Sequence, residues 1–313
     1  MGVQTPISAA MQFQRGTLPP TEGRLGASTA LDELDTIDIL RLLNREDSVA
    51  AAAVAQILPQ LASLVDLSAA RIRAGGSIHY FGAGTSGRLG MLDAAELLPT
   101  FNLDDGVVTA HIAGGPPAML SAVEDSEDSD ADGATDASVL GPQDLAIGLT
   151  ASGTTPYVRG ALVTARSVGA ATALVSCNPW APLADLTDSH IVLDTGAEVI
   201  TGSTRLKAGT AEKMVLNGFS TALMVTLGRT WSNLMVSVVA TNAKLRARTV
   251  GILVTATGFG EAKCVALLAD CGGDLRVALV SSLGEVAPGE ARTILEAANF
   301  SVRDALRTVA QSR

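Results

Sequence analysis

The chain has 313 residues, 47% of them hydrophobic and 17% charged, which marks a folded protein larger than one usual domain and excludes a disordered one. A formal net charge of −10 argues against the basic face that a nucleic-acid binder needs and disfavours adsorption to an anionic membrane. Cys177, Cys264 and Cys271 are too few and too scattered for a disulfide framework, so the expected setting is a reducing cytoplasm.

Residues 1–30 are rich in Gly, Pro, Thr, Ser and Gln and show no period, which predicts a mobile arm. They lack the apolar core of a secretory signal, and no apolar run in the chain is long enough to span a bilayer. Helical spacing follows over 31–43, is punctuated by Asn44-Arg45-Glu46-Asp47, and resumes over 48–74. Pro59 predicts a kink there, and Gly75-Gly76 a C-cap.

Strands and helices then alternate. Strands are expected at 77–81, 107–112, 145–149, 171–176 and 190–193, and helices near 86–98, 117–127, 155–168 and 179–186. The alternation predicts an α/β fold, doubly wound about a mainly parallel five-stranded sheet with helices on both faces. In such sheets ligands bind beyond the carboxyl ends of the strands. A long helix reaches about residue 227, and another is expected over 231–248. Beyond it Leu268, Leu275, Arg276, Ala278 and Leu279 recur as Leu295, Val302, Arg303, Ala305 and Leu306, with Gly272 matched by Asn299. Two similar hairpins make a small helical bundle. The chain thus divides into an arm, 1–30, an α/β unit with flanking helices, 31–248, and a C-terminal bundle, 249–313.

Chemistry concentrates in the loops after the first and third strands. Phe81-Gly82-Ala83-Gly84-Thr85-Ser86-Gly87 is a glycine-rich turn that opens a helix. Such a turn offers unpaired N–H groups and a positive helix end to an anion. Ser152-Gly153-Thr154-Thr155 repeats those residue types at a second helix start. Gly82-x-Gly84-x-x-Gly87 formally matches a dinucleotide fingerprint, but the second strand ends at His111-Ile112 rather than on the acid that would hold a ribose. The hydroxyls of Thr85 and Ser86 suit a phosphomonoester better. Gly202-Ser203-Thr204-Arg205-Leu206-Lys207 opens the long helix and adds Ser203 and Lys207 as further candidates.

Two carboxylates stand out. Glu96 lies beside Leu97, Leu98 and Pro99, where loss of water would raise its pKa and keep it protonated as an acid. Glu127 lies in Glu124-Asp125-Ser126-Glu127-Asp128-Ser129-Asp130, a crowd that could poise a base, although the run alone does not select Glu127 over Glu124. His79, His111 and His190 have no ligand spacing, so no metal is expected, and His79 reads as a packed strand residue.

The stretches FGAGTSGRLGMLDAAELLPTF, AGGPPAMLSAVEDSEDS, ASGTTPYVRGAL and TGSTRLKAGTAEKMVLN resemble the bacterial N-acetylmuramic acid 6-phosphate etherases, within the sugar-isomerase (SIS) group of flavodoxin-like phosphosugar-binding folds. The resemblance runs from about Thr21 to the C-terminus. It implies elimination of D-lactate from C3 of the 6-phosphosugar and addition of water, giving N-acetylglucosamine 6-phosphate, with no cofactor and in a homodimer. It places the acid at Glu96 and the second catalytic glutamate at Glu127. Gly84, Thr85, Ser86, Gly87, Ser152, Gly153, Thr154, Thr155, Ser203 and Lys207 fall on its phosphosugar-binding stretches. The chain departs from the family at Leu25, where Asn is common, at Thr154, where Arg is common, and at Pro116-Pro117, which replace a more acidic pair.

Other readings of the same residues are a non-catalytic phosphosugar sensor, a sugar-phosphate isomerase and, least favoured, a nicotinamide-dependent oxidoreductase. One geometric problem is visible in advance. At 1.5 Å of rise per residue, an unbroken helix puts Glu96 about 15 Å from a phosphate at Ser86. Either Gly90 bends the helix, or Glu96 serves the neighbouring subunit's site.

Overall fold

The computed structural model describes residues 18–238 and 243–312. Five parallel strands form the central sheet: β1 (Ile78–Gly82), β2 (Val108–Ile112), β3 (Leu145–Leu149), β4 (Ala171–Ser176) and β5 (Ser189–Val192). Their order is β2-β1-β3-β4-β5, and β1 pairs with both β2 and β3 in the register Gly82↔Ile112 and Gly82↔Leu149. Residues in β1, β3 and β4 are buried throughout, as parallel strands covered on both faces require. The order reverses between β1 and β3, and the loops leaving those two strands therefore flank one crevice.

One face is covered by α1 (Thr36–Gln56), α2 (Leu58–Arg73), α3 (Gly84–Phe101) and α6 (Lys207–Thr226), around Tyr80, Leu97, Leu145, Phe219 and Leu223. The other is covered by α4 (Asp130–Asp136) and α5 (Pro156–Ser167), around Phe81, Tyr157, Val158 and Leu162. His79 is buried in β1, stacked 5.3 Å from His111 and hydrogen-bonded to it through Nδ1 at 3.0 Å; burial and the neighbouring imidazole lower its pKa to about 4. It is a packed histidine.

The helices α4 and α5 meet backbone to backbone. A Cβ on Gly160 would lie 2.0 Å from the carbonyl oxygen of Asp130, and one on Gly133 would lie 1.9 Å from that of Tyr157. Overpacking a well-packed contact costs about 1–3 kcal/mol. Gly160→Ala should therefore lower the unfolding free energy by about 2 kcal/mol, measured by urea denaturation, whereas Gly251→Ala, facing open space, should not.

Several boundaries differ from those the spacing predicts. α1 runs straight through Asn44-Arg45-Glu46-Asp47, because these residues sustain a helix and Glu46 finds a partner on α6. The break falls at Ile57, just before Pro59 in the first turn of α2, and the two helices meet at 59°. The helix expected over 117–127 is absent: short 3-10 turns, Pro116–Met119 and Ser126–Asp128, are joined by loop. Ala118 is buried, but the larger apolar residues find no core to face: Leu120 is 94% exposed and Val123 39%. A 3-10 turn, Pro182–Leu186, replaces the helix expected over 179–186. Where a helix is expected over 231–248 the chain makes a two-stranded hairpin, β6 (Thr230–Trp231) and β7 (Leu234–Met235), and then α7 (Ala243–Thr257); 239–242 lie outside the described residues.

Of the arm, 1–17 also lie outside the described residues. Thr21 is fully buried, and its carbonyl accepts from Gly202 N at 3.0 Å, so the segment around it docks on the loop that precedes α6. The bundle comprises α7, α8 (Glu261–Asp270), α9 (Leu275–Gly284), α10 (Pro288–Ala297) and α11 (Val302–Gln311) around its own core. The repeat is visible in that core. Leu268 and Leu295, Leu275 and Val302, and Ala278 and Ala305 are all buried, and Gly272 and Asn299 both take positive φ, +68° and +50°. Among the described residues no single helix is long and apolar enough to cross a membrane.

Candidate active site

The crevice beyond β1 and β3 is floored by the start of α3. Gly84, at φ +53°, turns the chain from β1 into the helix, and no side chain caps its N-terminus. The first-turn N–H groups of a helix have no intrahelical acceptor, and those of Gly84, Thr85 and Ser86 have the chemistry that suits an anion. Gly87 lets the helix lie against the sheet: a Cβ there would be 2.7 Å from Gly82 O and from Ile112 Cγ1. Deeper in α3, Gly90 serves packing against Tyr80 and Leu149, and Asp93 ties α3 to its neighbours by accepting from Tyr80 Oη at 3.0 Å and Ser220 Oγ at 2.8 Å. Burial raises the Asp93 pKa to about 6, against those two bonds.

Beside it, the loop after β3 is held by its own hydroxyls. Thr150 Oγ1 lies 2.7 Å from Thr155 Oγ1 and 3.3 Å from Ser152 Oγ, and it accepts from Gly153 N at 3.3 Å. Thr154 donates from its hydroxyl to Ser152 Oγ at 2.9 Å, and Asn178 Nδ2 donates to Ser152 O at 2.8 Å. Gly153, at φ +70°, approaches Ala181 so closely that a Cβ would lie 2.2 Å from that residue's Cβ. Ser152, Gly153, Thr154 and Thr155 are thus fixed next to the start of α3, with no side chain capping α5.

A cavity of about 400 Å³ lies on the β2 side of the start of α3, lined by Gly84, Arg88, Ala113 and the acidic loop from Val123 to Asp128; Thr85, Ser86 and Ser152–Thr155 are not among its lining residues. Glu127 stands on its wall, within the 3-10 turn Ser126–Asp128, and Glu124 lines the same space. Arg88, four residues and so one helical turn beyond Gly84, also lines it and donates to Ser121 O at 3.2 Å. Its place on the cavity-facing side follows from that spacing alone, and it was open to sequence reasoning but not singled out.

Glu96 is elsewhere. α3 is continuous from Gly84 to Phe101, and Glu96 does not line this cavity. Its side of the helix faces outward, where it is exposed rather than desolvated, because Leu97 turns into the core while Leu98 is 57% exposed. Within one chain the two glutamates are therefore not brought together.

Lys207 and Ser203 also differ from a simple cradle. The ammonium of Lys207 is buried and 2.7 Å from Glu46 Oε2, so reaching a phosphate would mean breaking that pair. The N-terminus of α6 is already occupied: Glu198 accepts from Lys207 N at 3.0 Å and from Ala208 N at 2.9 Å. Burial raises the pKa of Glu198 against those bonds. Ser203 sits in the preceding turn, its N–H on Ile200 O at 2.9 Å. Sequence reasoning passed over one further carboxyl. Glu212, in the second turn of α6, lies against the start of α3 with Oε2 2.8 Å from Ser86 Oγ, and burial pushes its pKa up to about 7. No signal in the sequence marks a glutamate in mid-helix as a neighbour of a loop more than a hundred residues away.

Comparison with known proteins agrees with this architecture. A family profile described as the glucokinase regulatory protein N-terminal SIS domain matches residues 60–166, the span from α2 to α5. A protein of Thermobifida fusca named N-acetylmuramic acid 6-phosphate etherase is 57% identical over 264 residues, 84% of this chain and 87% of the relative. Proteins of the same name from Klebsiella aerogenes and Cutibacterium acnes are 48% and 46% identical, each over 96% of the relative's length. With identity at this level across both the sheet and the C-terminal bundle, the chain belongs to the N-acetylmuramic acid 6-phosphate etherase family.

Proposed function

We propose that the chain cleaves the C3 lactyl ether of N-acetylmuramic acid 6-phosphate in the cytoplasm, and that the phosphate ester rests on Gly84–Gly87 with Ser152–Thr155 beside it. The observation that carries this reading is the placement of Glu127 on the wall of a cavity that also takes in Gly84, the first residue of the uncapped α3. In the ring-opened sugar C1 is an aldehyde, and the C2 proton is acidified. Glu127 removes that proton, the C3–O bond breaks, and Glu96 protonates the departing lactate oxygen. Water then adds to the unsaturated aldehyde at C3, its proton passing to Glu96, and Glu127 returns a proton to C2. The net change is one water consumed and one lactate released. Anchoring the phosphate holds C2 and C3 before the two carboxyls, an effect of position rather than of acidity. Release of D-lactate from the 6-phosphosugar with no metal or nucleotide added tests the reading. A phosphosugar sensor or an isomerase would release none.

Glu96 enters this scheme from a second copy of the chain. The exposed apolar residues Leu92 and Leu98 flank Glu96 on α3, at 49% and 57% exposure, which supports a partner covering that surface. A closed two-fold dimer would then complete two shared sites. Mixing Glu96→Gln with Glu127→Gln should restore about a quarter of native activity after subunit exchange, since half of the randomly exchanged dimers hold one intact site. No recovery despite exchange, followed by native mass spectrometry, would place both carboxyls in one chain.

A further inference from the structure

Glu212 is a buried carboxyl that the chemistry above does not use. It is 3% exposed and reaches one hydrogen-bond partner, Ser86 Oγ, through Oε2; its Oε1 is buried with no partner among the described residues. An ionised carboxylate with one bond and no cation would forfeit most of its solvation. Lys207, the ammonium on its own helix, is committed to Glu46 of α1. Every other group around it is anionic, neutral or distant. Glu198 lies before α6, Asp93 of α3 is bound to Tyr80 and Ser220, and Cys177 after β4 is held protonated by burial. From α2, Arg73 reaches α6 only at its far end, on Thr226 O, and Lys213 is exposed. The neutral acid is therefore favoured, in line with its pKa of about 7.

The two protonation states leave Ser86 with opposite polarity. Ionised, Glu212 takes the serine's proton as its single hydrogen bond, and the hydroxyl of Ser86, itself 7% exposed, has only lone pairs left to offer. Protonated, Glu212 donates from Oε2 to Ser86 Oγ, and the hydroxyl proton is free to turn toward a phosphate oxygen. We propose that Glu212 is a proton-linked positioning residue for the phosphosugar, holding Ser86 as a donor only while its own carboxyl is protonated. The proposal rests on the reading that the phosphate sits at the start of α3. No covalent bond of the ester changes; the one bond formed is O–H on Glu212, whose carboxylate takes its proton from solvent as the ester binds. The sign follows from linkage: binding is proton-independent below the pKa of Glu212 and weakens about tenfold per pH unit above it. A phosphate monoester is itself fully dianionic well above its second pKa of about 6, so that ionisation no longer contributes at pH 8.

Titration calorimetry of the full-length protein with N-acetylglucosamine 6-phosphate, in two buffers of different ionisation enthalpy, is the test. The native protein should take up close to one proton per ligand at pH 8.5, and its Kd should rise about tenfold from pH 8 to pH 9. Glu212→Gln carries a permanent amide donor, so its Kd should be flat over that range and its proton uptake lost. Ser86→Ala should weaken binding at pH 6.5 and show a flat profile as well. An absence of proton uptake by the native protein, with Ser86→Ala still weakened, overturns the role of Glu212 alone. Ser86→Ala binding as tightly as the native protein overturns the phosphate site, and the proposal with it. Undiminished uptake in Glu212→Gln assigns the proton to another group and overturns the proposal. If Glu212→Gln does not fold, the native uptake and the Ser86→Ala profile decide the matter without it.

Discussion

Glu127→Gln should lower lactate release by about a thousandfold, the middle of the range for loss of a positioned acid or base, with KM little changed. The glutamine occupies the same wall of the cavity but cannot accept the C2 proton. Glu96→Gln should lose release to a similar degree for a different reason, since the ether oxygen would have to leave as an alkoxide. Isotope exchange separates the two. In deuterated water Glu96→Gln should still exchange the C2 hydrogen of the substrate, which reforms because the C3–O bond does not break. Glu127→Gln should exchange none. Exchange retained by Glu127→Gln would move the base to another group on that wall, Glu124 being the carboxyl at hand.

The second large effect is on stability. Lys207→Met should cost about 3 kcal/mol, because the ammonium is 3% exposed, its partner Glu46 is 13% exposed, and removing one member of such a pair strands the other. Chemical denaturation would read this loss, and Lys207→Met paired with Glu46→Leu should recover much of it by replacing both charges with apolar groups. If instead the single variant were stable but bound the phosphosugar poorly, Lys207 would leave Glu46 for the ligand. The pair ties α1 to the start of α6, whose second turn carries Glu212 to Ser86, so the same substitution should also disturb the start of α3 from behind.

The central sheet was legible in the chain because a buried parallel strand is written locally, as a short apolar run between turn residues. Ile78 to Gly82, Leu145 to Leu149 and Ala171 to Ser176 all lie within a residue or two of their expected bounds. The start of α3 was legible for a similar reason: Gly84, Thr85 and Ser86 follow a strand directly, and those residues shape the uncapped helix start. The segment 117–127 was misread because helical spacing states what could be buried on one face, not whether a face awaits it. Asn44 to Asp47 looked like punctuation for the converse reason: the polar run continues the helix, and the partner of Glu46, Lys207, arrives from α6.

By itself, then, the order of residues determined the α/β alternation, the glycine turn, the repeated hairpins and, through long shared motifs, the family. Those depend on short-range backbone geometry and on patterns of apolar burial. Tertiary structure alone decided that Lys207 faces Glu46, that Glu212 lies under Ser86, and that Glu96 and Glu127 are separated in one chain. Each is a meeting of side chains from distant elements, fixed by how helices pack across the sheet, and nothing in the local spacing encodes such a distance.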